Sequence, residues 1–228
     1  MAFNSVKRAD DLVPLRRILA STYDKTGLAD LIRGISGTCP GVAFYSTGGT
    51  YEALAAVLEG KAGLGVSLFR VSDYTGQPEM KGGLVKTLDW KIYLGLLAET
   101  GDPAHAADLG RAGAVAFDMV IANLYPFPET AADPDASPED LRQRIDVGGP
   151  SMIRAAAKNY LRVASVSAPA QYGGLLAELR ETGGRTRLET RRKLAAEAFG
   201  LVSRFDAAVS ARLGGLEAAL VAKAYGLE

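Results

Sequence analysis

The stretch "RIDVGGPSMIRAAAKN" holds the densest set of groups that could move protons. Asp146 precedes a Gly148-Gly149-Pro150 turn that opens a helix, and Pro150 suits a first helical turn. Lys158 follows about two turns further along a run of alanines. A carboxylate, exposed backbone amides and an ammonium in one segment resemble a base, oxyanion donors and an acid. From this stretch alone, a capped helix carrying a surface lysine accounts for the pattern better.

Three other segments could hold an anion. "YSTGGTYEAL" reads as a strand, a turn and a helix start. Gly48 and Gly49 let a ligand approach the main chain, and Thr50 can cap a helix whose free N–H groups favour negative charge. A capped turn with no ligand accounts for it equally well. "STYDKTGL" repeats the arrangement, with Lys25 adding a full charge; the alternative is an Asp24 cap and a solvated lysine. "EMKGGLVKTLDWKIY" sets two glycines before Lys86 and Thr87, as either an anion loop or a simple bend. None of these is a Walker loop, and no G-x-G-x-x-G follows a strand, which disfavours the usual dinucleotide fold.

These segments sit between elements that would have to position them. "RILAST", "GVAFYS", "VSLFRVS", "FDMVIANLY" and "RVASVSA" read as buried strands. Between them lie amphipathic helical patterns such as "DKTGLADLIRGIS", "GGTYEALAAVLEG", "DWKIYLGLLAET" and "SMIRAAAKN". Such alternation predicts an α/β fold, a three-layer parallel sheet with helices on both faces. Residues 1–15 read as an N-terminal arm, 16–187 as the α/β domain, and 188–228 as a C-terminal helical extension packed on it. In open parallel sheets ligands sit at the carboxyl ends of the strands. "STYDKTG", "STGGT" and "NLYPF" all fall at such ends, which predicts one composite site.

Composition narrows the function classes. The chain of 228 residues has 26 basic and 26 acidic side chains, so a cationic site would have to be local, with no broad nucleic-acid or membrane face. Cys39 is the only cysteine and His105 the only histidine, which leaves little for a disulfide, for zinc or for histidine-based acid/base chemistry. His105, in "GDPAHAADLG", reads as a surface residue. "MAFNSVKRADDLVPL" lacks the apolar core of a signal peptide, and no apolar run is long enough to cross a bilayer. The expected location is the cytoplasm.

Seven segments in order, "DKTGL", "STGGT", "VSDYTGQPEM", "GGLVKTL", "NLYPF", "IDVGGPSMIRAAAKN" and "LETRRKLAAEAF", resemble the IMP cyclohydrolase half of the bifunctional AICAR transformylase/IMP cyclohydrolase family. The likeness runs from about Arg16 to about Arg212, and the formyl-transferring half has no counterpart in this sequence. It implies a methylglyoxal-synthase-like fold and a stand-alone cyclohydrolase that closes formyl-AICAR to IMP with loss of water, without metal or organic cofactor. It also implies a homodimer, with a separate AICAR transformylase as a candidate supplier of substrate. By resemblance, Ser21, Lys25, Thr26, Ser46, Gly48, Thr50 and Thr87 hold the 5′-phosphate. Lys86, Tyr125, Asp146 and Lys158 carry the chemistry, Asn123 orients the base, and amides near Gly148 steady the oxyanion. Either lysine could protonate the departing hydroxide.

The chain departs from the family pattern at five places. Leu84 stands where the family writes Arg, Asp89-Trp90 where it writes His-Pro, and Tyr93 and Tyr160 where it writes His. Tyr23 replaces a serine. An arginine lost beside a phosphate removes a fixed bidentate donor, for which Lys81 or Lys91 could substitute. A catalytically silent phosphosugar- or nucleotide-binding module of the same fold is therefore the alternative reading.

Overall fold

The computed structural model describes residues 6, 8–60, 64–78, 80–81, 85–99 and 101–227. In chain order the strands are β1 (Leu12–Pro14), β2 (Arg17–Ser21), β3 (Ala43–Ser46), β4 (Ser67–Arg70), β5 (Met119–Ala122), β6 (Ala164–Val166) and β7 (Arg185–Arg187). The helices are α1 (Leu28–Thr38), α2 (Gly48–Leu58), α3 (Val71–Thr75), α4 (Trp90–Leu97), α5 (Pro103–Ala112) and α6 (Phe127–Ala132). They continue as α7 (Pro138–Arg144), α8 (Gly148–Lys158), α9 (Tyr172–Thr182), α10 (Leu188–Gly214) and α11 (Ala218–Tyr225).

β2 to β6 form one five-stranded, wholly parallel sheet in the order β4-β3-β2-β5-β6. Successive strand residues alternate between two cores, as the period of two requires. Ile18, Ala20, Phe44, Met119 and Ile121 face one core, closed by α1, α2 and α9 through Leu31, Ile35, Leu54 and Leu175. Leu19, Tyr45, Val120 and Ala122 face the other, closed by α4, α8 and α10 through Ile92, Leu96, Ile153 and Val202. The three-layer parallel architecture read from the sequence is the one observed.

Local chemistry sets the helix boundaries. Asp89 begins α4 by accepting from the Lys91 N–H, and Asp102 begins α5 by accepting from Ala104 and His105, with Pro103 in the first turn. Ser137 and Asp140 close a capping box on α7. α10 is 27 residues long and lies across α8 and β6. Its far end joins a small third core, where Phe205 meets Phe127 at 5.9 Å between ring centroids.

The segment expected as an arm holds a strand. β1 pairs antiparallel with β7, Leu12 opposite Arg187 and Pro14 opposite Arg185. Arg191, on the first turns of α10, is fully buried behind this ribbon. Its guanidinium donates to the carbonyls of Asp10, Asp11, Tyr160, Leu161 and Thr186. One side chain thus ties together the segment before β1, the turn after α8 and strand β7.

Candidate functional site

The sheet order places β3 on one side of β2 and β5 on the other. The connections leaving β2 and β5 therefore diverge, and a crevice opens at their carboxyl ends. A cavity of about 580 Å³ lies there. Its walls come from the turn after β2, the turn after β3, the segment after β5, residues 85–88 and the start of α8.

One end of the crevice suits an anion. The first turn of α2 leaves backbone N–H groups without intrahelical partners. Gly48 has φ of +46°, a conformation that a side chain resists. A Cβ at Gly48 would stand 3.2 Å from Lys86 Nζ, and one at Gly49 4.0 Å from Lys25 Nζ. Two ammonium groups therefore flank one helix N-terminus, and both effects favour the same negative ligand. Thr22 also lines the crevice, and its buried Oγ1 has no hydrogen-bond partner. Beside Lys86, Val85 holds φ of +54°, which costs of order 1–3 kcal/mol for a β-branched residue. That strain sits on the loop that aims Lys86.

The other end suits a base. Asp146 Oδ1 accepts from the Gly149 N–H at 2.8 Å, so the carboxylate folds over the start of α8. Burial pushes its pKa above the usual carboxylate value, and hydrogen bonds from the Gly149 and Tyr125 N–H groups partly offset this. Gly149 is obligatory here, since an added Cβ would lie 2.4 Å from Asp146 Oδ2 and 2.9 Å from Leu124. Gly148 has the same relation to Thr87, whose Oγ1 would lie 2.7 Å away. Gly149→Ala should displace the carboxylate by tenths of an ångström or more and lower turnover at least about tenfold. The check is turnover alongside thermal melting, because a folded, fully active variant would show that Asp146 needs no exact seat.

Of the residues singled out in the sequence, Ser21, Lys25, Thr50, Lys86, Thr87, Asn123, Tyr125, Asp146 and Gly148 line this crevice. Gly48 borders it at Lys86. Three do not line it. Ser46 is fully buried and donates to the Ala20 carbonyl at 2.8 Å. Thr26 is exposed at the approach to α1, where its N–H bonds Asp24. Lys158 is exposed at the last turn of α8, about 15 Å along the helix from Gly148.

Hydrogen bonding reassigns two of the lining residues to holding the walls. Thr50 Oγ1 accepts from the Thr22 N–H and donates to the Thr22 carbonyl, both at 3.0 Å, locking α2 to the end of β2. Asn123 Oδ1 accepts from the N–H groups of Tyr23 and Asp24, and its Nδ2 donates to the Asp24 carbonyl. Asn123 thus shapes the turn that carries Lys25. Tyr23 and Gly149 also line the crevice, as do Thr22, Thr47 and Gln143, which motif reading passed over. Proximity to the named lysine and glycines was the only available signal for them.

The departures from the family pattern fall unevenly. Tyr23 lines the crevice, whereas Asp89 caps α4 and Tyr160 lends its carbonyl to Arg191. Tyr93 packs in the core beside α8 with its hydroxyl toward Ser151. Leu84 lies outside the described residues, as do Gly82 and Gly83. Lys91 donates to the Tyr74 carbonyl at 3.3 Å and does not line the crevice.

Another cavity, of about 610 Å³, lies at the opposite, amino end of the strands and contains none of the candidate site residues. Glu99, Asp102 and His105 on its side of the fold bring ligand atoms within 4.8 Å of one another. His105 Nδ1 accepts from the Glu99 N–H at 3.1 Å, however, so that lone pair is engaged.

Fold and crevice together define a class, a parallel α/β domain with an anion-suited crevice at its switch point, and residues 37–151 match the MGS-like domain family. Residues 156–225 match the AICARFT/IMPCHase bienzyme family. The chain belongs to this family, with the MGS-like domain as its α/β core. It is 45% identical over 197 residues to the bifunctional purine biosynthesis protein PurH of Mycobacterium ulcerans, covering 86% of this chain and 35% of the relative. The PurH of Synechococcus sp. CC9605 is 46% identical over 191 residues, covering 84% and 35%. The chain therefore spans about a third of the length of these relatives. The crystal structure of ForH superposes with a TM-score of 0.71 at 33% identity, covering 89% of this chain and all of that one. No helix among the described residues is long and apolar enough to cross a membrane.

Proposed function

We propose that the chain closes formyl-AICAR to IMP, releasing one water. The observation that carries this reading is a single crevice with a cation-flanked helix N-terminus at one end and a buried carboxylate at the other. The 5′-phosphate binds at the start of α2 between Lys25 and Lys86, with Ser21, Thr22 and Thr87 completing its surroundings. That anchoring carries the reacting groups to Asp146.

Both reacting groups belong to one molecule, so the site selects the rotamer in which the carboxamide nitrogen faces the formyl carbon. The nitrogen attacks that carbon and Asp146 accepts its proton. Amides at the start of α8 stabilise the oxyanion as it forms. The oxyanion takes back the proton held by Asp146 to become a hydroxyl. Lys86 then protonates this hydroxyl, which leaves as water while the formamide nitrogen gives up its N–H proton to Lys86 and the ring C=N bond forms. Lys86 takes this role over Lys158 because it lines the crevice and Lys158 does not. The relatives' names support a role in purine biosynthesis; a cytoplasmic homodimer supplied by a separate formyl-transferring enzyme belongs to the same proposal.

The test is purified protein mixed with formyl-AICAR while IMP absorbance is followed. A rate above the spontaneous one is expected, and none would sink the proposal. In the same assay Lys86→Met should raise KM about tenfold to a hundredfold, by loss of a charged contact, and also lower kcat. Tight nucleotide binding with no turnover in the wild type would favour the silent binding module.

A further inference from the structure

An aromatic side chain at the mouth of the crevice is without a role in the mechanism above. Tyr23 is 46% exposed and Tyr125 39%, which is high for two rings in contact. They meet edge to face, with 5.4 Å between centroids and an interplanar angle of 84°. Tyr23, Tyr125 and Gln143 line both the crevice and an adjoining polar cavity of about 680 Å³. The two rings therefore form the partition between these spaces. The Arg144 guanidinium stands 5.9 Å from the centroid of Tyr23.

The ring is presented on a fixed support. Asn123 holds the backbone of Tyr23 through its N–H at 2.7 Å, and the same amide grips Asp24 on both sides. Tyr23 thus presents a large π-face on a braced turn. A hydroxyl could only hydrogen-bond a ligand, whereas this ring can stack on one.

We infer that Tyr23 is a specificity-determining residue, pairing with Tyr125 to grip the planar heterocycle of a 5′-phosphorylated ribonucleoside. The inference rests on the proposed phosphate site at α2, since that anchor delivers the base to the rings. Stacking on Tyr23 acts on substrate and product alike. Its removal should thus raise KM while leaving kcat within a few-fold.

Calorimetric titration of wild type, Tyr23→Ser and Tyr23→Phe with IMP and with ribose 5-phosphate tests this. Tyr23→Ser should lose about tenfold in affinity for IMP, from the loss of one base–aromatic stack, and change little for ribose 5-phosphate. Tyr23→Phe should keep wild-type affinity for both. Unchanged IMP affinity in Tyr23→Ser would overturn the inference. So would an equal loss for both ligands, which would place the residue in the phosphate site. A wild type that binds ribose 5-phosphate as tightly as IMP would overturn it as well, and one that binds neither would overturn both this inference and the functional reading. IMP binding with the expected losses but no turnover would support Tyr23 and sink the cyclohydrolase alone.

Discussion

Asp146→Asn is expected to lower turnover of formyl-AICAR by roughly a hundredfold to ten-thousandfold, the usual contribution of a positioned general base. Asparagine retains an oxygen able to accept from the Gly149 N–H, so the start of α8 should keep its shape. IMP affinity should accordingly change only a few-fold. The pH profile supplies an independent signature. The base works ionised, and its folded pKa lies above 3.8 because burial outweighs the two N–H donors. Wild-type turnover should fall as pH drops through that raised value, and the variant should lack this acid limb. The linkage sign gives a further check. A carboxyl whose folded pKa is raised favours folding in its protonated form, and that relative gain is lost as pH rises through the folded value. Asp146→Asn should therefore melt no lower than wild type at neutral pH. Turnover within a few-fold of wild type would remove Asp146 from the mechanism.

Arg191→Met should have the largest effect on stability. The methionine fills much of the buried volume but leaves five carbonyl acceptors that the guanidinium satisfied. Unsatisfied buried polar groups cost about 1–3 kcal/mol each, and partial access of water will relieve some of them. A net loss of about 3–5 kcal/mol is expected, or roughly 6–20 °C in melting temperature for a chain of this size. Arg191→Lys should rescue little, because one ammonium has three donors and cannot span acceptors set in a planar fork. Thermal melting of the two variants decides it. A drop below about 1 kcal/mol for Arg191→Met would mean that the ribbon of β1 and β7 is held by other contacts.

The five central strands and their covering helices were legible because each strand is a short apolar run followed by an amphipathic helix, a pattern that few other folds produce. β1 was not legible. Its three residues carry no periodicity, and its partner lies about 170 positions away, so only tertiary pairing reveals it. At the crevice, the glycine turns were legible because glycine before a helix start is a local requirement. Side-chain direction was not. Ser46 sits in the right motif but points back into the sheet to meet the Ala20 carbonyl. Asp146 and Lys158 belong to one continuous motif, yet a straight helix carries them to opposite ends of the layer. Asn123 lines the crevice as expected from its motif, but that its amide also braces a turn was not legible. For Ser46 and Asn123 the residue type was informative and its hydrogen-bond partner, fixed by distant backbone, was not.

The ribbon of β1 and β7 also orders the birth of the molecule. β1 is made before β7 and has nothing to pair with until β7 has been synthesised. At usual rates of translation that is a wait of roughly ten to thirty seconds. The parallel sheet from β2 to β5 can assemble in the meantime from strands already present. Arg191 then arrives, recruits the carbonyls of Asp10 and Asp11 and fastens an earlier-made segment to a later-made one.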